Sequence, residues 1–92
     1  MNFILYCLDK PGHGQTRADN RPAHLDYLNS KVDQIVIAGP MTNDAGDAVL
    51  GSMLVIEAAD RAGAEAFAAG DPYAKAGLFE KVEIKAYKKV LP

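Results

Sequence analysis

The first strand-forming segment of the chain constrains its fold more than any other feature. Every residue from Phe3 to Leu8 is hydrophobic, so both alternating sets of side chains in this segment are hydrophobic. Because neighbouring side chains of a strand point to opposite faces of a sheet, the segment predicts a strand covered on both sides. A chain of 92 residues buries only roughly two thirds of its unfolded surface. We therefore expect a second copy of the chain to cover one of these faces.

The remaining hydrophobic patterns predict the element order β-α-β-β-α-β. In chain order, the predicted elements are a strand at residues 3–8, a mobile loop rich in glycine and proline at 9–16, a helix ending near Ser30 or Lys31, a short buried strand at 34–38 closed by Gly39-Pro40, a strand at 49–57, a helix at 62–69 and a half-exposed strand at 81–87. The two middle strands are expected to form a long hairpin. Asp60 is the predicted N-cap of the second helix and Gly70 its C′ residue, and Asp71-Pro72 begins one further short turn through Ala76.

The start of the first helix has two candidate positions. Leu25 and Leu28 define its apolar stripe, but Pro22 breaks a hydrogen bond in a helix interior and fits best in a first turn. Either Thr16 begins a kinked helix, or Asn20 caps a shorter one.

The element order is that of the split-βαβ, or ferredoxin-like, α+β fold, in which helices cover one face of an antiparallel sheet. No linker or internal repeat divides the sequence, so we expect one domain over residues 1–92. The sheet face without helices needs a partner, and a sheet-on-sheet homodimer is the simplest solution. The sequence thus predicts a dimeric α+β barrel.

Composition excludes several classes of function. The net charge of −2 and the pI of about 5.5 argue against a nucleic-acid partner, which requires a basic face. Cys7 is the only cysteine, so neither an intramolecular disulfide nor a cysteine zinc cluster can form. No stretch approaches membrane-spanning length and no secretory leader pattern is present, so we expect a cytoplasmic protein without membrane contact. No glycine-rich phosphate loop follows a strand, and we expect no cofactor.

Two short motifs far apart in sequence carry the candidate chemistry. Arg21-x-x-His24 lies in the first helix, and Asp71-Pro72-Tyr73 precedes the last strand. His24 is explained either as an imidazole packed at the polar edge of a helix or as a general acid/base, which needs a carboxylate to orient it. Asp71 could be that carboxylate or only a helix cap, and one carboxylate can serve both roles.

Three further residues are candidate substrate-binding groups. Arg21 shares a helix face with His24, although a surface ion pair explains it equally well. Ser52 follows Gly51, which marks either a bulge or a close approach of a ligand to the backbone, and Ser52 would be a hydrogen-bond donor. Tyr73 contributes either a phenol to the pocket or packing alone.

Three other interpretations compete with this one. His13, His24 and a carboxylate could hold a metal ion, but their spacing matches no zinc motif, so no metal is predicted. An RNA-recognition motif needs aromatic residues on its third strand, and residues 49–56 contain none. An amino-acid-sensing regulatory domain of the ACT type resembles the chain at Leu8-Asp9-Lys10-Pro11-Gly12. A non-catalytic, ACT-like small-molecule-binding module is therefore the alternative to an enzyme.

The whole set of motifs resembles the YCII-related (YciI-like) family. The resemblance rests on Arg21-x-x-His24-x-x-Tyr27-Leu28, Ala38-Gly39-Pro40, Gly51-Ser52, Asp71-Pro72-Tyr73 and Gly77-Leu78-Phe79. It implies a dimeric α+β barrel with an active-site His-Asp pair at His24 and Asp71. It also implies lyase or isomerase chemistry on a small cyclic or aromatic substrate, as in a dehydrochlorinase acting on a chlorinated hydroxyhydroquinone.

Overall fold

The computed structural model describes residues 1–92 and has the predicted order of strands and helices, including the short turn after Asp71, with one 3-10 turn added. The elements are β1 (Asn2–Asp9), α1 (Gly14–Ser30), a 3-10 turn (Val32–Gln34), β2 (Ile35–Thr42), β3 (Val49–Glu57), α2 (Arg61–Gly70), α3 (Pro72–Lys75) and β4 (Phe79–Tyr87). The predicted α+β, ferredoxin-like fold is confirmed. No helix has the length and hydropathy needed to cross a membrane.

The strands form one antiparallel sheet in the order β2-β3-β1-β4. β1 lies inside the sheet, where Leu5 is opposite Leu54 of β3 on one side and Ile84 of β4 on the other. The side chains of these three residues point toward the helices, and so do those of the residues two positions away along each strand. The main core lies there, where Phe3, Leu5 and Cys7 are buried against residues of β3 and α2 that include Phe67.

The prediction of a short, buried β2 is wrong in both length and burial. β2 continues through Gly39 and Pro40 to Thr42, and most of its residues are exposed. It is an edge strand with β3 as its only neighbour. An edge strand tolerates proline, because its outer row of N–H groups has no ladder partner to lose. Pro40 therefore does not end the strand.

The loop predicted at residues 9–16 is shorter than expected, because α1 already begins at Gly14 and neither Thr16 nor Asn20 starts it. The Arg17 N–H donates to the His13 carbonyl, and the Gln15 side chain donates to Asp19 one turn later. Both bonds stabilise the first turns of the helix. Pro22 lies inside the helix, at an exposed position.

The predicted helix caps are present, but Gly70 has a different role from the one expected. Asp60 accepts a hydrogen bond from the Gly63 N–H and Asp71 accepts one from the Tyr73 N–H. Gly70 is the last residue of α2, without a positive φ. A Cβ atom there would lie 2.6 Å from the Tyr27 hydroxyl, which donates to the Phe67 carbonyl. Glycine at this position lets α1 approach the end of α2.

The sheet face opposite the helices has no cover within the chain. Ile4, Tyr6 and Leu8 of β1 belong to this face, together with Ile37 of β2 and Tyr87 of β4. Ile37 is 56% exposed, and Tyr6 and Tyr87 are also exposed. The chain thus covers only one of the two hydrophobic faces of β1.

Gly51 is expected to allow the close approach of β3 to β1. A Cβ atom at Gly51 would lie 2.1 Å from the Cys7 carbonyl oxygen, and the β2–β3 register shifts at Met41 and Thr42, opposite this point. Gly51→Ala should therefore lower the free energy of unfolding by about 1–3 kcal/mol through overpacking. Gly39→Ala is the matched control, since a Cβ atom there meets nothing within 4 Å. Urea unfolding measures both, and equal stabilities would contradict the close approach.

Cys7 is expected to be unreactive in the folded protein. Burial, followed by the negative charges of Asp71 and Asp9, raises the pKa of its thiol to about 12. Because the thiolate is the reactive form, an aromatic disulfide reagent at pH 8 should label the native protein far more slowly than the protein in urea, where the thiol is exposed. Rapid labelling of the native protein would show that the strand opens locally.

Candidate active site

A cavity of about 1100 Å³ lies between α1 and the helix-covered side of β2 and β3. Its walls are largely apolar, and its polar side chains cluster near the end of β1. The apolar lining residues include Leu8, Leu25, Leu28, Ala38, Pro40, Val49, Leu50 and Leu54. The cavity is wide enough for a ring-sized molecule.

His24 and Asp71 form a buried pair beside this cavity. His24 Nδ1 lies 2.8 Å from Asp71 Oδ1, and the two residues are only 8% and 4% exposed. An ionised carboxylate accepts hydrogen bonds and cannot donate them, so Nδ1 carries the proton in this contact. His24 lines the cavity whereas Asp71 does not. Nε2 is therefore the ring nitrogen left for a bound molecule.

The local sequence around Asp71 explains how this carboxylate is aimed. Asp71 Oδ1 also accepts the Tyr73 N–H at 2.9 Å, which makes Asp71 the N-cap of α3. The two expected roles of Asp71, cap and imidazole partner, are thus combined in one oxygen atom. Pro72 at the first helical position fixes the backbone next to it.

Tyr73 forms one wall of the site. Its ring stacks on His24 with 3.9 Å between ring centroids and 13° between planes, and the residue is 1% exposed. Burial raises the pKa of the Tyr73 phenol, although the positive charge of Arg17 acts in the opposite direction. Tyr73 is therefore a neutral phenol near neutral pH and can donate a hydrogen bond.

Arg17 connects three elements at the polar end of the cavity. Its Nε and Nη2 donate to the two carboxylate oxygens of Asp9 at 2.7 and 2.9 Å, and Nη2 also donates to Ser52 Oγ at 2.9 Å. The guanidinium carbon lies 4.6 Å from the centre of the Tyr73 ring. Burial alone would lower the pKa of Arg17, but Asp9 raises it above its ordinary value, so Arg17 stays charged.

The structure brings together most of the residues singled out in the sequence. His24, Ser52 and Tyr73 all line the cavity, and Asp71 lies directly behind His24. Arg21 also lines it, but this residue is exposed and makes no hydrogen bond or ion pair.

Sequence reasoning missed Arg17 and Asp9. The signal for Arg17 was its spacing of four and seven residues before Arg21 and His24, which places all three on one helix face. Because the sequence left two candidate starts for α1, Thr16 and Asn20, it did not establish that residue 17 is helical. Asp9 carried no comparable signal, because its contact with Arg17 depends on how α1 packs.

His13 lies at the rim of the cavity, with its Nδ1 3.0 Å from the Pro11 carbonyl oxygen. No group of three or more histidine, cysteine, aspartate or glutamate side chains is placed to hold a metal ion. The metal hypothesis for His13 and His24 therefore has no geometric support.

The comparison with solved structures supports this picture of the site's scaffold. The 5-chloro-2-hydroxyhydroquinone dehydrochlorinase of Burkholderia phenoliruptrix, solved in complex with 2,5-dihydroxybenzoquinone, matches with a TM-score of 0.88 and 36% identity, covering 96% of this chain and 94% of the other. A protein of Arabidopsis thaliana matches with a TM-score of 0.51 and 11% identity, covering 99% of this chain and 96% of the other, and shows a similar fold only.

Sequence relatives and the family profile agree with each other. The proteins called YciI from Escherichia coli O6:H1 and Shigella flexneri are each 38% identical to the chain over 97 residues, covering 98% of this chain and 99% of the relative. The profile of the YCII-related domain matches residues 1–88. The chain therefore belongs to the YCII-related family.

Proposed function

We propose that this protein is a small, cytoplasmic, homodimeric enzyme of one domain that moves protons on a small cyclic or aromatic substrate, as a lyase or isomerase of the dehydrochlorinase kind. The observation that carries the proposal is the buried pair of His24 and Asp71, which leaves His24 Nε2 available to the cavity. An imidazole held by a carboxylate is a suitable general acid/base, because the carboxylate selects the tautomer and stabilises the imidazolium.

The proposed reaction removes HCl from a chlorinated, hydroxylated ring. His24 Nε2 takes the proton of a ring hydroxyl and returns it to the carbon that carries chlorine, which gives the keto tautomer. Chloride then leaves with the bonding electron pair as a second hydroxyl gives its proton to His24 Nε2, which is neutral again, and the ring becomes a quinone. The first proton transfer alone is an isomerisation, so the same site suits both reaction types.

The rest of the site supports a planar, oxygenated substrate. Tyr73 and Ser52 line the cavity and would contact its oxygens, and the apolar walls suit the faces of a ring. Arg21 at the exposed rim would attract an anionic substrate to the mouth of the cavity. The dehydrochlorinase with the similar fold carries a dihydroxyquinone, which is a molecule of this class.

His24→Asn should abolish turnover while leaving the fold intact, since general acid/base catalysis supplies roughly a hundredfold to ten-thousandfold of rate. Asp71→Asn should also be severe, by up to about 10⁴-fold, because it removes the charge that stabilises the imidazolium. Chloride release from chlorinated hydroxyhydroquinones measures both, with thermal unfolding of each variant recorded alongside.

Asp60→Asn is the matched control for Asp71→Asn. Both aspartates cap a helix by accepting a backbone N–H at 2.9 Å, but Asp60 has no hydrogen bond to a histidine. Activity should survive in the Asp60 variant, because asparagine caps helices as well as aspartate does. Tight ligand binding without turnover, insensitive to His24→Asn, would instead indicate the ACT-like regulatory module.

The dimer should form through the uncovered sheet face and be disrupted by a charge placed there. Tyr6→Lys adds a charge to this face, whereas Val82→Lys changes a residue of similar exposure on the opposite face. Sedimentation at micromolar concentration should give a dimer for the wild type and the Val82 variant, and a monomer for the Tyr6 variant. A monomeric wild type would contradict the shared barrel.

A further inference from the structure

One half of the cavity is lined without any polar side chain. Beyond His24, α1 contributes only Leu25 and Leu28 to the lining. β2 contributes only residues 38–40, which are alanine, glycine and proline. Leu54 of β3 completes this part of the lining. These residues are called the apolar half of the cavity.

The apolar half lies away from the hydrogen-bonding end of the cavity. On β3, Leu54 is two residues beyond Ser52, or about 7 Å along the strand. On α1, Leu28 is roughly 16 Å beyond Arg17 along the helix axis. Leu28 packs against the core cluster that contains Leu54, so the two leucines mark the same end. The cavity is therefore elongated, and His24 lies between its two ends.

The size of the cavity exceeds what a single ring needs. Pockets that hold drug-sized ligands have volumes of about 300–1,000 Å³, and this cavity has about 1100 Å³. A one-ring molecule bound at His24 Nε2 would leave much of the space unfilled. Leu25, which is 39% exposed, would still face water.

We propose that the substrate is a hydroxylated ring that carries a hydrocarbon substituent of several carbon atoms, and that the apolar half of the cavity binds this substituent. This assignment rests on the proposed function, since it names the substrate class of the same site. The ring is presented to His24 while the substituent extends between α1 and β2. Burying each methylene there favours binding, because no polar side chain loses contact with water.

The apolar half has the form of a ligand pocket and not of a protein-docking face. Leu54 on its floor is only 2% exposed and Leu28 is half-buried, because α1 passes over this part of the sheet. The small side chain of Ala38 leaves room between the helix and the edge strand. The face proposed for the homodimer, which includes Tyr6, lies on the other side of the sheet.

A series of ligands with growing substituents tests the proposal directly. The probes are 2,5-dihydroxybenzoquinone and its 3-methyl, 3-propyl and 3-pentyl derivatives, titrated calorimetrically into the wild type. Affinity should rise by about two- to fourfold per carbon atom, as expected for methylene groups that are largely buried. A derivative whose chain ends in a carboxylate should lose this gain, because the charge would be buried without a partner.

The diagnostic variant is Ala38→Phe, which fills the apolar half with a ring on an edge strand. The ratio of the affinities for the pentyl and the unsubstituted compound should fall to near one. Val82→Phe is the matched control, since Val82 is also exposed, lies on the other edge strand and does not line the cavity. It should keep the wild-type ratio.

Leu25→Ala tests the helix wall of the apolar half independently. Alanine keeps the helix but removes hydrocarbon from the wall, so the affinity ratio should fall by about two- to fivefold. Thermal unfolding of each variant shows whether it is folded.

Equal affinities along the alkyl series would overturn the proposal. A gain that persists in both Ala38→Phe and Leu25→Ala would also overturn it, because the chain would then bind elsewhere. Chloride release combined with a flat series would retain the proposed function and reject the substituent. A rising series without chloride release would retain the apolar half as a binding site and reject dehydrochlorination. A wild type that binds none of the probes would contradict both.

Discussion

The carboxylate of Asp71 is the group on which the candidate site depends. A single oxygen, Oδ1, accepts the N–H that starts α3 and the Nδ1–H of His24 in α1. These bonds join residues 47 positions apart in the sequence. Because Asp71 is buried, both bonds are shielded from water and strongly favour one geometry. The same cap positions Tyr73 so that its ring stacks on the imidazole.

A second polar cluster, formed by Arg17, Asp9 and Ser52, holds α1 at its other end. It connects the helix to the end of β1 and to β3. Between the two clusters α1 is kept away from β2 and β3, and the space left is the cavity. The polar contacts therefore define both the position of the helix and the chemistry of the pocket.

The uncovered sheet face and the site lie on opposite sides of the sheet. β1 contributes Phe3, Leu5 and Cys7 to the helix-covered core and Ile4, Tyr6 and Leu8 to the other face. Pairing through that face would cover exposed hydrophobic surface, and Leu8 of this face also borders the cavity.

The sequence by itself determined the features that depend on local patterns. Hydrophobic runs and alternating hydrophobic residues located the strands, Asp60 and Asp71 marked helix starts, and the motif pair indicated a contact between His24 and Asp71. Tertiary structure alone decided that β2 is an exposed edge strand, because burial depends on which strands flank it. It also decided that Arg17, not Arg21, is the partly buried guanidinium. That outcome depends on α1 starting at Gly14 and on Asp9 and Ser52, which lie eight and 35 residues away in sequence and meet Arg17 only when the helix packs over the sheet.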